Sequence, residues 1–511
     1  MSLTLRGVIA AMLAAASCGV PARAQSTDWG RVHEVTVRGI DLLYNLEMER
    51  AGATFDSVTA LAPTDPRGRF FRSMVHFWIY TLRNQETDFE QFMAVSDTVV
   101  SLCEGLVDRD PRDAVAMFYL GGIRGYRGLA LQLRGSILKA VMEGREGYLQ
   151  LEEAVRVRPD LADAQMGFGL YRYLVAKIPS AYAWVVKLLG FEGDLEGGLQ
   201  SLRIAATTGV YTRSEASFFL SQFLQNEHRH EESFDLMRSL IARHPDNTLF
   251  LVLYASWQFR RNNYDEALSA LDRAAGVNAR KSIRYGEEFI HSTRASIAYT
   301  RNDFATARRE YDLFMQKNQL PERVPSFTFY RIAVARDIMR DRAGAIEACR
   351  KVKEVRDRDR AWESYISRKA QELAERPLTQ AEILAIRGAN TLSRNEPDSA
   401  LIHFRASLAA AGEDPDQKAR ALYGLQQAFE QKRLDSDVLR TGEEVVSLKP
   451  DRETWLIPHA YVKMAQAEAR RSRKPEALRL LEAAEEFDDY DFQENLESRM
   501  ESQRDSLQNN R

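Results

Sequence analysis

A small residue followed four positions later by a bulky one recurs along this chain: Ala51 and Phe55, Gly147 and Leu151, Gly198 and Leu202, Ser233 and Met237, Ala267 and Leu271. The series continues with Ala307 and Tyr311, Ala345 and Cys349, Ala400 and Phe404, and Ala477 and Leu481. Four residues is about one helical turn, so the two members share a helix face. The small member lets a preceding helix approach closely, and the bulky member fills the space that opens a turn later. Pro63, Pro159 and Pro245 each stand twelve residues after a small member, where they would stop the helix. Pro111 and Pro450, read at the same offset, imply two further centres at Val99 and Val438. The pattern predicts about eleven helical pairs between Val32 and Phe487.

The segment Asn262-Asn263-Tyr264-Asp265-Glu266-Ala267-Leu268, with Leu271 and Ala274, resembles the second helix of a tetratricopeptide repeat. The step from Ser233 to Ala267 is 34 residues, the length of that repeat. Steps of 48, 48 and 51 residues from Ala51 through Val99 and Gly147 to Gly198 require lengthened helices or insertions. The 55-residue step from Ala345 to Ala400 leaves room for an extra helix around Arg360 to Glu375, ahead of Pro377. The expected fold is all-α, a right-handed tetratricopeptide-like solenoid. Its expected divisions are an N-terminal array over 25–376 and a C-terminal array over 377–511. The latter ends in an acidic capping tail from Glu485 to Asp491.

Glycine is concentrated: 14 of 28 lie between Gly121 and Gly209. Each costs about 1 kcal/mol against alanine in a helix interior, so the density needs a packing reason. Gly121-Gly122-Ile123-Arg124-Gly125-Tyr126-Arg127-Gly128 would offer a glycine face to a neighbouring helix. Gly167-Phe168-Gly169-Leu170-Tyr171 leads through Ile178-Pro179 and an apolar run to Gly190-Phe191-Glu192-Gly193-Asp194. These elements resemble the tetratricopeptide-repeat protein 39 and inclusion-body-clearance family, over Phe70 to Ala275 and most distinctively from Gly167 to Leu202. The resemblance implies a non-enzymatic helical-repeat adaptor. Members of that family in eukaryotes are intracellular, so the resemblance carries fold and class to this chain but no partner.

The N-terminus points to a different compartment. Arg6, the apolar run Gly7 to Val20, and Ala22-Arg23-Ala24 form a bacterial-type export signal over 1–24, with Gln25 as the expected mature start. The run is too short to span a bilayer, and no other stretch is long and apolar enough to be an integral membrane segment. The expectation is an exported protein, periplasmic or secreted. The alternative is an outer-membrane lipoprotein acylated at Cys18, although Ala15 stands where such signals carry Leu. The remaining cysteines, Cys103 and Cys349, sit at bulky positions of the repeat and read as core thiols.

Composition narrows function less. The 511 residues are 45% hydrophobic and 28% charged, a globular balance. With 70 basic against 73 acidic residues, nucleic-acid binding by bulk charge is excluded. Phosphate-loop, nucleophile-elbow, dinucleotide and Cys-x-x-Cys signatures are absent from the sequence. His228-Arg229-His230 lacks zinc spacing and falls on a turn. No catalytic residue, cofactor or metal is called for.

The candidate contacts are first-helix positions left over after core packing. They are Gln222, Gln225 and Asn226, then Ser256, Phe259 and Arg260, then Ser296 and Tyr299, and finally Tyr330 and Asp337. Amides, hydroxyls and rings on a concave face suit an extended peptide or protein partner. A second candidate is the apolar insertion at 178–191, with Tyr182, Trp184, Leu188 and Phe191. It reads either as a helix packed into the glycine groove or as an elbow for a partner or peripheral membrane contact. The leading expectation is an exported, non-catalytic scaffold for a protein partner in the bacterial envelope. Its alternative is an outer-membrane-associated lipoprotein binding a glycan, a lipid or another small molecule.

Overall fold

A computed structural model of the protein describes residues 27–178, 193–281, 284–318, 324–355 and 361–509. The export signal, Cys18, Tyr182, Trp184, Leu188 and Phe191 lie outside the described residues. The chain divides into two compact units, Met1–Phe250 and Leu251–Arg511. The described residues form 24 helices and no strand.

The first unit holds α1 (Trp29–Tyr44), α2 (Met48–Leu61), α3 (Arg67–Arg83), α4 (Glu86–Arg109) and α5 (Ala114–Leu133). It continues with α6 (Ile137–Val157), α7 (Ala164–Ala176), α8 (Leu195–Thr208), α9 (Arg213–Asn226) and α10 (His230–Arg243). The division between units falls inside α11 (Thr248–Arg260). The second unit runs through α12 (Tyr264–Asn278), α13 (Glu287–Thr300), α14 (Phe304–Lys317), α15 (Ser326–Ile338) and α16 (Arg342–Arg350). Then come α17 (Ala361–Glu375), α18 (Gln380–Ser393), α19 (Pro397–Ala410), α20 (Pro415–Gln431) and α21 (Asp435–Ser447). The last three are α22 (Leu456–Arg470), α23 (Lys474–Glu485) and α24 (Gln493–Asn509).

Among the described helices all but α17 and α24 fall in consecutive pairs, eleven in all, the order of a helical-repeat solenoid. The eleven small positions read from the sequence all fall on the second helix of a pair, including Val99 on α4 and Val438 on α21. Ala51, Phe55, Val99, Cys103, Ser233, Met237, Ala267 and Leu271 are fully buried. Burying each large member contributes about 1.5–3 kcal/mol. Ser233 can stand in for alanine because its Oγ donates to the Ser221 carbonyl 2.7 Å away, on the partner helix.

The turns explain how so many pairs close tightly. In ten pairs the connection carries one left-handed residue, from Asn84 at φ +53° to Gly135 at +75°. Asn fills this place at Asn84, Asn262, Asn302 and Asn395, since its side chain tolerates the left-handed region better than most. His228 does so at +58°, which places it on an exposed turn. Asp113, Asp194, Asp303 and Asp341 accept from backbone N–H groups at helix starts, and Thr379 with Glu382 forms a capping box.

The long N-terminal steps come from long helices: α4, α5 and α6 have 24, 20 and 21 residues. The extra helix expected before Pro377 is α17, whose Ala370 and Leu373 join the core formed by Ile332, Ala348 and Cys349. The expected junction at 376 and 377 lies between α17 and α18, inside the second unit. Polar α24 sets Leu496 and Met500, with half-buried Leu507, against Val462, Ala465 and Leu481. Cys103 and Cys349 are free and buried. No described helix is long and apolar enough to cross a membrane.

Candidate functional site

Within the first unit, Gln222 and Gln225 on α9 are half-buried, and Asn226 is exposed at the helix end. Gln225 Oε1 lies 2.9 Å from His230 Nδ1, so its side chain is partly committed to the turn. In the second unit Phe259 is half-buried with its ring 5.8 Å from that of Tyr264, and Arg260 is exposed. Arg260 makes no ion pair among the described residues. Ser256, Ser296 and Tyr330 are half-buried.

Two of the expected contact positions serve the fold instead. Tyr299 is only 6% exposed, packed against Phe304 at 5.3 Å with the Arg331 guanidinium 5.0 Å from its ring centroid. The Asp337 side chain is 4% exposed, 3.1 Å from Arg342 Nη1, and its Oδ2 accepts from the Leu378 backbone N–H at 2.8 Å. The reason lies in α17 and α18. Asn390 of α18 reaches the Tyr299 carbonyl at 2.9 Å, and the chain leaving α17 passes over Asp337. Counting positions within a repeat cannot register an element that lies outside the repeat.

Tyr330 lines a small charged recess of about 50 Å³ in the second unit. Lys369 Nζ approaches Glu453 at 3.2 Å, Arg420 reaches Glu453 at 3.3 Å, and Trp455 Nε1 donates to Glu453 at 2.7 Å. Burial raises the Glu453 pKa, but Arg420 and Lys369 outweigh it and hold the carboxyl below its usual range. Arg376 pairs with Glu382 at 2.7 Å and Arg452 with Asp416 at 3.2 Å. With its charges matched inside the chain, the recess works as a clasp.

The glycine-rich helices of the first unit do something different. Gly167 of α7 takes the Leu151 side chain of α6, and Gly121 and Gly147 let α5 and α6 touch backbone to backbone. Beside these contacts lies a cavity of about 180 Å³. Among the described residues its aromatic wall is Phe70, Phe71, Phe118, Tyr126, Tyr148, Tyr171 and Tyr211. Gly125 borders it with no described atom within 4 Å of where a Cβ would stand.

Three charged side chains line this cavity. Asp163 Oδ1 accepts from the backbone of Val210, Tyr211 and Thr212 at 2.8, 3.0 and 3.0 Å, and from Thr212 Oγ1 at 2.7 Å. Lys177 Nζ meets Glu227 at 2.8 Å. Glu215, in the first turn of α9, has neither arrangement. It is 7% exposed, and its Oε1 has no hydrogen-bond partner among the described residues. Burial raises its carboxyl to about 7; Tyr126 and Tyr44 flank it and temper the rise, but no closed hydrogen bond reaches Oε1.

Sequence reading missed Glu215 because an acid in a first helical turn normally faces solvent near the helix dipole. The available signal was its neighbourhood: it shares a face with Phe218, in a stretch of serines, alanine and phenylalanines.

The family described as Iml2/Tetratricopeptide repeat protein 39 matches residues 162–387. The match begins later than the expected Phe70 and runs well beyond Ala275, while including the distinctive Gly167 to Leu202. No curated protein matches. Among solved structures, a tetratricopeptide repeat protein from Parabacteroides merdae is 13% identical, covering 56% of this chain and 97% of its own, with TM-score 0.25. Yeast Tom70 is 12% identical over 94% of this chain and 96% of its own, with TM-score 0.23. The human IFIT1 dimer with m7Gppp-AAAA is 14% identical over 90% and 95%, with TM-score 0.34. The chain is a tetratricopeptide-repeat-like protein, related over residues 162–387 to the Iml2/Tetratricopeptide repeat protein 39 family.

Proposed function

We propose that this helical-repeat scaffold is exported and holds a protein or peptide partner in a bacterial envelope without catalysing a reaction. The observation that supports the reading is the Phe259–Arg260 pair: a half-exposed ring beside an exposed guanidinium with no ion-pair partner among the described residues. Aromatic and arginine side chains dominate the binding energy of protein interfaces. Ser256, one turn back from Arg260 on α11, extends the same face with a hydroxyl. Export rests on the 1–24 signal pattern.

Crosslinking the chain in its native cells, followed by identification of what co-purifies, tests the reading. One dominant protein should be captured, and its capture should fall at least tenfold when Phe259 and Arg260 are both replaced by Ala. Loss of capture must accompany an unchanged thermal unfolding midpoint. Recovery of no protein under efficient crosslinking would end the scaffold reading. N-terminal analysis of the cellular protein tests export separately: Gln25 should be the first residue, and an intact Met1 would overturn it.

A further inference from the structure

The cavity in the first unit has the composition of a ligand site more than of a packing fault. Packing faults in a repeat core are small and dry, because each missing methylene forfeits contacts on every side. This one, at about 180 Å³, is lined by seven aromatic rings and is kept open by glycine at Gly125, where a larger residue would meet no obstacle. A cavity of about 150 Å³ is enough to admit a benzene ring.

Its electrostatics are one-sided. Of the charged groups on its wall, half-buried Asp163 takes four donors on its Oδ1 and Lys177 is held by Glu227. That leaves Glu215, whose carboxyl is faced by the Tyr126 and Tyr44 hydroxyls but whose Oε1 has no closed hydrogen bond among the described residues. A buried carboxyl oxygen without a well-aligned donor gives up its hydration at a cost. The fold bears that cost whether or not a ligand is present, so a donor brought by a ligand recovers it on binding. Aromatic faces around a cation add a favourable quadrupole attraction. A ligand anion would meet Glu215 with nothing to neutralise it.

We infer that this cavity binds a small organic amine: a mostly apolar body about the size of one aromatic ring, with its protonated nitrogen set against Glu215 and the ring of Tyr126. The site lies wholly within the first unit, is independent of the Phe259–Arg260 face, and stands or falls separately from the scaffold reading.

The test is calorimetric titration of the full chain at pH 8 with benzylamine, and with toluene and benzyl alcohol as isosteres of the same body. Benzylamine should bind at least tenfold more tightly than either. In Glu215→Gln that preference should collapse to within about twofold while toluene binding persists, since the amide keeps the shape and removes the charge. Gly125→Leu should fill the cavity and abolish binding of all three. Because Gly125→Leu could disturb folding, a second measurement uses the wild type alone. In crystals soaked with 4-bromobenzylamine, the anomalous bromine peak should lie among Phe70, Tyr148 and Tyr171, with the amine toward Glu215. Equal binding of benzylamine and toluene, benzyl alcohol binding as tightly as the amine, unchanged preference in Glu215→Gln, or a bromine peak elsewhere would each overturn the inference.

Discussion

Gly121 on α5 and Gly147 on α6 stand against each other's carbonyl oxygens: a Cβ on either would lie 2.7 Å from the other's oxygen, closer than side chains pack. The two helices therefore meet backbone to backbone, and the cost of glycine in a helix interior is the condition for that contact. Gly125, between them in sequence, has open space instead.

The first prediction separates these two kinds of glycine. Gly121→Ala and Gly147→Ala should each destabilise the protein by about 1–3 kcal/mol, as overpacking does. Gly125→Ala should stabilise by up to about 1 kcal/mol through helix propensity alone. Urea midpoints at constant slope would show the opposite signs.

Glu215 predicts an unusual pH dependence. Its carboxyl sits at about 7 in the folded chain against 4.5 as the reference value, with burial as the main cause. Between those values the folded state binds more protons than the unfolded one, so stability falls as pH rises from about 4.5 to 7 and is flat above. The span corresponds to about 3 kcal/mol. The facing groups are Tyr44 from α1 and Tyr126 from α5, with Asp163 and Lys177 across the cavity held by their own partners. Glu215→Gln should therefore gain about 3 kcal/mol on the wild type between pH 4 and pH 8. Thermal unfolding across that range would measure it. A constant difference would mean that Glu215 titrates normally.

How far the sequence foretold this structure can be followed residue by residue. The eleven small positions identified every second helix, because a close helix crossing admits few side chains and so leaves a fixed mark. Val99 and Val438, inferred from Pro111 and Pro450 alone, fall where they should and are fully buried. The site was less legible. Tyr299 and Asp337 occupy first-helix positions, yet α18 and the chain leaving α17 cover them, and α17, which belongs to no pair, has no place in the repeat's spacing. Glu215 was invisible for the converse reason: its local position signals exposure, whereas Tyr44 of α1 and Tyr126 of α5, distant in sequence, stand against its carboxyl.

His244 should oppose Glu215. Burial, reinforced by Arg243, lowers its pKa to about 4 from 6.5. Its ring lies 5.4 Å from that of Tyr44, with Nε2 2.8 Å from Ser214 Oγ. Here the unfolded state binds more protons between pH 4 and 6.5, so stability rises with pH across that window. His459, whose pKa burial lowers to about 3, adds a rise of the same sign. Relative to the wild type, Glu215→Gln should therefore steepen the rise of stability between pH 4.5 and 7, and His244→Gln should flatten it between pH 4 and 6.5.

The two core thiols should be inert. Burial pushes Cys103 up to about 12 and Cys349 to about 11, and the thiolate is the reactive form. A disulfide-exchange reagent at pH 8 should leave both unmodified in the folded chain over hours and titrate both at once in denaturant. Fast reaction of either in the native protein would show local opening of its helix pair.

Asp337 decides between a contact residue and a structural one. Its Oδ2 holds the Leu378 N–H at 2.8 Å and its Oδ1 lies 3.1 Å from Arg342, which also donates to the carbonyls of Leu373 and Ala374 at 2.5 and 2.9 Å. One carboxylate thus fixes the exit of α17 against α15 and α16. Removing it leaves a backbone N–H and part of a guanidinium unsatisfied, so Asp337→Ala should cost about 2–3 kcal/mol. Asp337→Asn retains an acceptor for Leu378 and should cost less. Hydrogen exchange supplies the local readout: the Leu378 amide should lose protection in Asp337→Ala and largely keep it in Asp337→Asn. Arg260→Ala is the contrasting case, exposed and without an ion pair among the described residues, and should stay within about 0.5 kcal/mol of wild type. If Asp337→Ala were equally silent in stability while weakening capture of a partner, Asp337 would belong to the binding face after all.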